Sequence, residues 1–351
     1  MRRIDVILCD EASQYEDVPW ERFFSVVREQ PHLPYTCVVA DFRQLQPVSS
    51  GGKCEQFCKR METIELKTVY RSADPEHLLF LNRIRETQAT RDELDEYFEG
   101  RHWERLSLRE AVARGQVLSE QRGEPFTWLC HNNKGASEVC EAALLNMGIS
   151  PENLEEGFLC DPASKSNLRI LAKPGVMLRL TRNLDKSRGF VNGALAIVVE
   201  ALQGNSVFMA KLVGAGTYVL VHPMEEDSAI FLPCCYGYAT TVRRAQGLSL
   251  THGCLYFDQR KRAAGRGYGY VAASRFKTRD GCYLYGKVRR TDFLPVGGDS
   301  EDEVLERGNM SETSDDEDGH GMDEALGSCG AAFDADSQDD CTAVCMDVDF
   351  N

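Results

Sequence analysis

Two short apolar runs, each ending in acidic residues, constrain this chain more than anything else in it. Ile4 to Cys9 leads into Asp10-Glu11-Ala12-Ser13, and Tyr35 to Ala40 leads into Asp41. Such runs read as parallel strands buried on both faces, because a strand with one wet face would alternate apolar and polar residues. Between them Trp20, Phe23, Phe24 and Val27 fall at helical spacing, so Trp20 to Arg28 reads as an amphipathic helix. Strand, helix, strand is a parallel crossover unit. In an open α/β sheet, ligands bind at the strand ends, where these acids lie.

Downstream, Pro75 to Arg85, Arg91 to Phe98 and Gly135 to Met147 read as helices, and Phe126 to Cys130 as a further buried strand. A second α/β domain is expected to start near Pro125. From Arg169 to Pro233 the pattern changes to short β runs with glycine turns, including Ala194 to Val199, Val207 to Leu212 and Tyr218 to Val221. These suggest a small β barrel inserted into that domain.

The net charge of −15 is unevenly spread. Asp299 to Asn351 holds 18 acidic residues against one basic, a net of −17, while Arg169 to Gly298 holds 19 basic against 8 acidic, a net of +11. The basic stretch suits contact with a phosphate backbone, although scattered solvated charges would give the same count. The acidic stretch has few large apolar groups and is expected to be disordered, able to engage a basic partner and to be phosphorylated at Ser311, Thr313 or Ser314. No apolar run approaches the roughly 18 residues of a membrane span, and the segment before Asp10 is too short for a signal peptide, so an intracellular setting without membrane contact is expected. The fourteen cysteines sit largely in strand-like runs and read as buried thiols. The close pairs Cys54/Cys58, Cys234/Cys235 and Cys341/Cys345 lack the spacing of a structural zinc site.

Several segments carry chemistry. Asp10-Glu11 offers one carboxylate for magnesium and a second to polarise water, though a strand end or helix cap would look the same. The next run ends in Ala40-Asp41-Phe42-Arg43-Gln44, which puts an amide donor about one strand spacing away, suited to a γ-phosphate. Leu66-Lys67-Thr68-Val69-Tyr70-Arg71 supplies a guanidinium that can clamp phosphate oxygens or make an ordinary surface salt bridge. Tyr238 to Leu250, with Thr240-Thr241-Val242-Arg243-Arg244-Ala245-Gln246-Gly247 inside it, combines hydroxyls, cations, an amide and a glycine where a strand reads as meeting a helix. Tyr270-Val271-Ala272-Ala273-Ser274-Arg275 reads as a strand-like run ending in an arginine that can reach across a cleft. Phe190, Tyr236 and Tyr238 are open to two roles, stacking on bases or packing in the core.

In this order the motifs resemble the PIF-type, RecD-like DNA helicases of superfamily one, over roughly Ile4 to Tyr285. Intervening segments strengthen the likeness: Leu81-Asn82-Arg83-Ile84-Arg85, Lys173-Pro174-Gly175-Val176-Met177-Leu178, Arg182-Asn183-Leu184-Asp185 and Phe190-Val191-Asn192-Gly193. The resemblance implies an α/β fold of two RecA-like motor domains. An incomplete first domain spans 1–122. A second spans 123–298 with a small SH3-like β insert at about 173–235, and a disordered acidic tail spans 299–351. It implies ATP and Mg2+ as cofactors, single-stranded and duplex DNA as partners, a monomer, five-prime to three-prime unwinding, and roles in DNA repair, recombination and telomere maintenance in a nuclear setting. By that resemblance Asp10 holds magnesium and Glu11 is the catalytic base. Gln44 and Arg71 read the γ-phosphate, Gln246 and Gly247 lie at the nucleotide, and Arg275 is the arginine finger. Thr241, Arg243, Arg244 and Asn192 contact DNA.

Three departures qualify the likeness. The family's glycine-rich loop, ending Gly-Lys-Thr or Gly-Lys-Ser, precedes the Asp-Glu strand, whereas Gly51-Gly52-Lys53-Cys54 follows it and lacks the magnesium-binding hydroxyl. Ala40 and Arg243 stand where the family has glycine and histidine. Losing one phosphate donor costs about 3 kcal/mol of transition-state stabilisation, so a chain without the loop is expected to begin inside the first motor domain and to be inactive alone. A non-catalytic DNA-binding or interaction protein derived from such a helicase is the alternative. An unrelated α/β phosphotransferase or nuclease accounts for the carboxylates but not for Gln246-Gly247 or Tyr270 to Arg275.

Overall fold

The crossover unit read from the first forty residues is present, but its strands are not buried on both faces as expected: Val6, Leu8 and Tyr35 are exposed. In the computed structural model, which describes residues 4–47, 51–257, 265–287 and 289–297, β1 (Val6–Cys9) pairs in parallel with β2 (Tyr35–Val38), and α1 (Asp17–Arg28) connects them. After α2 (Lys53–Cys58), an aromatic cluster ties this lobe together, with ring centroids of Trp20 and Phe24, and of Phe24 and Phe57, each 4.5 Å apart.

Next come α3 (Pro75–Glu86) and α4 (Arg91–Tyr97). Asp74 starts α3 by accepting from the His77 N–H at 3.1 Å with Pro75 in the first turn, and Thr90 with Glu93 forms a capping box for α4. The chain continues through β3 (His102–Trp103), α5 (Leu108–Arg122), β4 (Thr127–Cys130), α6 (Asn133–Asn146), α7 (Pro151–Glu155), β5 (Phe158–Leu159) and β6 (Arg169–Ile170). There follow β7 (Met177–Leu180), β8 (Leu195–Gln203), β9 (Val207–Leu212) and β10 (Tyr218–Val221), the hairpin β11 (Met224–Glu226) and β12 (Ala229–Phe231), then β13 (Cys234–Tyr236). Last are β14 (Ala239–Thr241), β15 (Gly253–Tyr256), α8 (Tyr268–Ala273) and β16 (Cys282–Tyr285).

Two five-stranded sheets result. One is parallel, in the order β14-β4-β15-β16-β3, with β4, β14 and β15 buried at every position. Gly253 in β15 is required there: a Cβ would stand 2.0 Å from the Thr127 carbonyl oxygen. The other is antiparallel, β10-β9-β8-β7-β13, where the β insert was expected. Among the described residues its edge strands β10 and β13 do not pair with each other.

The structure corrects three readings and decides a fourth that stood open. The boundary at 122 cuts through packed elements: β3 pairs with β16, Arg101 Nη1 donates to the Cys282 carbonyl at 2.7 Å, and Gln116 on α5 donates to the Ala143 carbonyl on α6 at 3.3 Å. Phe80, Ile84, Leu94 and Phe98 of the α3–α4 region share one core with Val271, Phe276 and Phe293. Residues 75–122 therefore cover the large parallel sheet, which needs both faces shielded. Second, Tyr270 to Arg275 belongs to helix α8 and its end, because a short apolar run rich in small residues packs equally well as a helix. Third, residues 242–247 after β14 form successive turns rather than a helix. Fourth, Phe190, Tyr236 and Tyr238 are buried, and both tyrosine hydroxyls accept backbone N–H bonds, from Leu171 and Met177, so they are core residues. Helix α5 has no strong apolar stripe. Its signals were Ser107 three residues before Glu110 and Gly123 in the left-handed conformation at its end.

The described cysteines are free thiols, and among the described residues none is grouped with other ligands so as to hold a metal. Burial pushes Cys54, Cys140 and Cys282 up to about 12, which keeps them protonated. No described helix is long and apolar enough to cross a membrane. The acidic stretch with Ser311, Thr313 and Ser314 lies outside the described residues.

Candidate functional site

The end of β1 turns sharply. Glu11 adopts φ 49° and ψ 34°, a left-handed conformation that costs a β-carbon residue about 1 kcal/mol. Asp10 Oδ1 accepts from the Glu11 N–H at 2.9 Å, and the Ala12 N–H donates to the Val39 carbonyl at 3.0 Å, fastening the turn to the end of β2. The two side-chain carboxylates are thereby displayed at the sheet edge, Asp10 exposed and Glu11 half-buried.

Asp41, beyond β2, organises the next layer. Its Oδ1 accepts from Arg85 Nη2 at 3.0 Å and from the Arg43 N–H at 3.1 Å, while its Oδ2 accepts from Gln44 Nε2 at 3.2 Å. Arg85 in turn lies 5.8 Å from the Tyr270 ring centroid. With its amide nitrogen held by Asp41, Gln44 accepts at Oε1 from Gln246 Nε2 at 3.4 Å. This contact joins residues 202 apart in sequence, and Gln246 Oε1 is buried without a partner among the described residues. Asp41 and Arg85 were missed as site residues; an acid just past a strand end was the one signal for Asp41.

Two arginines close the other side. Arg71 Nε donates to Ser249 Oγ at 3.0 Å and its Nη1 to the Ser274 carbonyl at 3.3 Å. Arg275, only 2% exposed, is folded against α8: its Nε donates to the Val271 carbonyl and its Nη2 to Ser274 Oγ, both at 3.0 Å. Burial, and then the charge of Arg71, lower its pKa to about 10, with Glu11 opposing them. Arg275 thus remains charged at neutral pH beside a like charge. The arrangement suits a phosphate, which would neutralise both guanidiniums and offer acceptors to Gln246 and Gln44. Among the described residues no three carboxylate, histidine or cysteine ligands converge.

The residues expected on DNA divide into two groups. Arg243 Nη1 donates to the Gln46 carbonyl at 2.9 Å, toward the β2 end. Arg244 turns the other way, its Nη1 donating to the Ser164 carbonyl at 2.5 Å and its Nη2 to the Ala163 carbonyl at 3.1 Å. There it lines a cavity of about 270 Å³ together with Thr241 and Asn192, so three of the four meet around one space. Gly247 is in the left-handed region at φ 80°, as the tight turn between Gln246 and Leu248 requires.

The sequence model of the AAA domain family matches residues 1–102. The ATP-dependent DNA helicase PIF1 of Xenopus laevis is 25% identical over 320 residues, covering 82% of this chain and 47% of the relative. The human ATP-dependent DNA helicase PIF1 is 24% identical over 324 residues, covering 85% of this chain and 48% of the relative. The chain thus spans about half the length of the curated relatives it matches. Among solved structures, the Pif1 helicase from Bacteroides in complex with ADP-AlF3 and single-stranded DNA aligns with a TM-score of 0.58 at 18% identity, over 89% of this chain and 76% of that one. The Pif1 helicase from Candida albicans aligns with a TM-score of 0.55 at 17% identity, over 88% and 76%. These likenesses are of fold.

Proposed function

We propose that the chain is a member of the Pif1-type helicase family and that it forms the γ-phosphate and DNA-gripping portion of an ATP-driven DNA helicase motor. The observation that carries the reading is the meeting of Gln44 and Arg71, on one side, with Gln246, Ser249 and Ser274 on the other. Residues far apart in sequence converge on a small region that a phosphate would complete. In this reading Asp10 holds Mg2+, Glu11 orients and deprotonates the attacking water, and Gln44 and Arg71 contact the γ-phosphate. Arg275 neutralises charge that develops on transfer, once it swings from its bonds to α8. The ATP so bound supplies the free energy of the motor cycle. Gln246, bonded to Gln44, then reports phosphate occupancy to the turn carrying Thr241, Arg243 and Arg244. The direction of travel proposed is five-prime to three-prime.

No Gly-Lys-Thr or Gly-Lys-Ser loop occurs within these 351 residues, so the phosphate cradle is incomplete here. We infer that a polypeptide of these residues alone binds single-stranded DNA without hydrolysing ATP. The test is DNA-stimulated phosphate release, compared for the chain and for Glu11→Gln. Background release from both, with DNA binding retained, is the expected result. Release that disappears in Glu11→Gln would assign the base and overturn the inactivity. A second reading, a DNA-binding protein without catalysis, is favoured by the contrast between a complete large sheet and a first lobe with an uncovered apolar face. It predicts DNA affinity indifferent to ATP analogues.

A further inference from the structure

The cavity lined by Arg244, Thr241 and Asn192 has a cationic floor that motif matching passes over. Arg179 lies on β7 in the antiparallel sheet and is among the residues that line this space. Its Nη1 donates to the Gly193 carbonyl at 3.2 Å, but its Nε and Nη2 are shielded from solvent and have no partner among the described residues. A buried guanidinium with two idle donors is costly unless an acceptor arrives. Burial holds the Arg179 pKa below its ordinary value, and the charge of Arg244 acts in the same direction. Lys165 also lines the cavity, and among the described residues no acidic side chain does. The nearby acid, Asp161, is committed to Arg182 and Thr181, each with a bond of 2.6 Å. Ser137 and Thr241 add hydroxyls along the wall.

We propose that this cavity is a phosphate pocket with Arg179 as its buried anchor, and that the group it takes is a backbone phosphodiester of the bound strand. The choice of source rests on the DNA reading above; the pocket itself does not. Once the side chain turns its Nε–Nη2 edge from the wall into the cavity, those two adjacent donors match two oxygens of one phosphate. Arg244, already braced by two carbonyls, contributes charge from the rim.

The experiment uses the full chain and Arg179→Met, which fills the buried volume without charge. Because replacing a buried charge by an apolar group is often neutral or stabilising, Arg179→Met is expected to melt no lower than the native chain. Two readouts follow: the rise in melting temperature with inorganic phosphate, and affinity for an oligothymidylate across a salt series. The native chain is expected to be stabilised by phosphate. Arg179→Met should lose that response, bind the oligonucleotide about tenfold more weakly, and show a salt slope shallower by about one. Loss of the phosphate response in a chain that binds no oligonucleotide would keep the pocket and discard the DNA reading, making free phosphate the source. A salt slope and a phosphate response both unchanged in Arg179→Met would overturn the proposal. So would a lower melting temperature with DNA binding intact, since that marks Arg179 as purely structural. Should Arg179→Met fail to fold, Arg179→Lys serves, since it keeps the charge but not the paired donors, and retention of full phosphate response there would equally count against the anchor.

Discussion

The two parallel sheets are built from the same kind of strand and end in opposite states. Thr-Trp-Leu-Cys in β4 is buried throughout, with α6 and the β14 and β15 neighbours around it. Val-Ile-Leu-Cys in β1 is as apolar, yet Leu8 is 75% exposed and Val6 57%, and Tyr35 beside them on β2 is 76% exposed. The difference lies in cover rather than in hydropathy. The Trp20, Phe24 and Phe57 cluster shields one side of the small sheet, and no described element shields the other. Apolar area contributes about 25 cal/mol per Å² only once it leaves water. The large sheet is therefore the stable body and the small one an appendage held by its aromatic cluster. The candidate catalytic residues straddle that divide: Asp10, Glu11 and Gln44 sit on the appendage, Gln246 and Arg275 on the body.

The largest effect expected from this contrast is in the body. Leu129, fully buried at the centre of β4, should cost about 3 kcal/mol of global unfolding free energy on change to alanine, measured by chemical denaturation. A loss below about 1 kcal/mol would mean that the large sheet does not set global stability.

The next effect is a pH dependence confined to the body. His77 on α3 is fully buried, with Nδ1 2.7 Å from Tyr97 Oη and Nε2 3.0 Å from the Phe276 carbonyl. Burial keeps its pKa below the usual 6.5. As pH falls below 6.5 the unfolded chain takes up a proton that the folded chain still refuses. Stability therefore declines with acidification down to the folded pKa, by up to about 1.4 kcal/mol per pH unit. His252, also buried with a lowered pKa, adds a term of the same sign. Denaturation at pH 7.5 and 5.5 checks this: the decline should shrink in His77→Gln, and an unchanged decline would place the titration elsewhere.

In the appendage, Trp20→Ala should abolish hydrogen-exchange protection across β1 and β2 while leaving β4 and β15 protected. Its effect on global unfolding should be about 1 kcal/mol or less, because the lobe opens before the body does. Simultaneous loss of protection in both sheets would show one cooperative unit and erase the distinction.

What was legible in the sequence follows the same divide between local and distant forces. The strands ending in Asp10 and Asp41 and helices α1, α3, α4 and α6 were readable because apolar spacing and capping residues are written locally. Helix α8 was misread because Tyr-Val-Ala-Ala satisfies either period, and only packing against Phe293 and the large sheet decides. The domain boundary was placed too late because β3 is two residues long and earns its place by pairing with β16, some 180 residues away. Within the candidate site, motif order exposed Asp10, Glu11, Gln44, Arg71, Gln246 and Arg275. It gave no role to Asp41, Arg85 or Arg179, whose importance comes from partners, or from partners missing, that no linear pattern encodes.

The smallest expected effect tests the contrast most directly, because it concerns residues that ordinary reasoning would place in a core. Leu8 sits in the middle of β1 and would be called essential from its neighbours in sequence. At 75% exposure it has little apolar contact to lose, so Leu8→Ser should change global stability by no more than about 0.5 kcal/mol. The same exchange at Leu129 would leave a hydroxyl in the core without a partner and add a desolvation penalty to the cavity cost. Two leucines at the third position of similar parallel strands should then differ several-fold in consequence, a ratio that chemical denaturation of the two variants measures. A large loss in Leu8→Ser would show that its face is covered in solution, for instance by a second copy of the chain. Concentration-dependent sedimentation of the native chain would then reveal that copy.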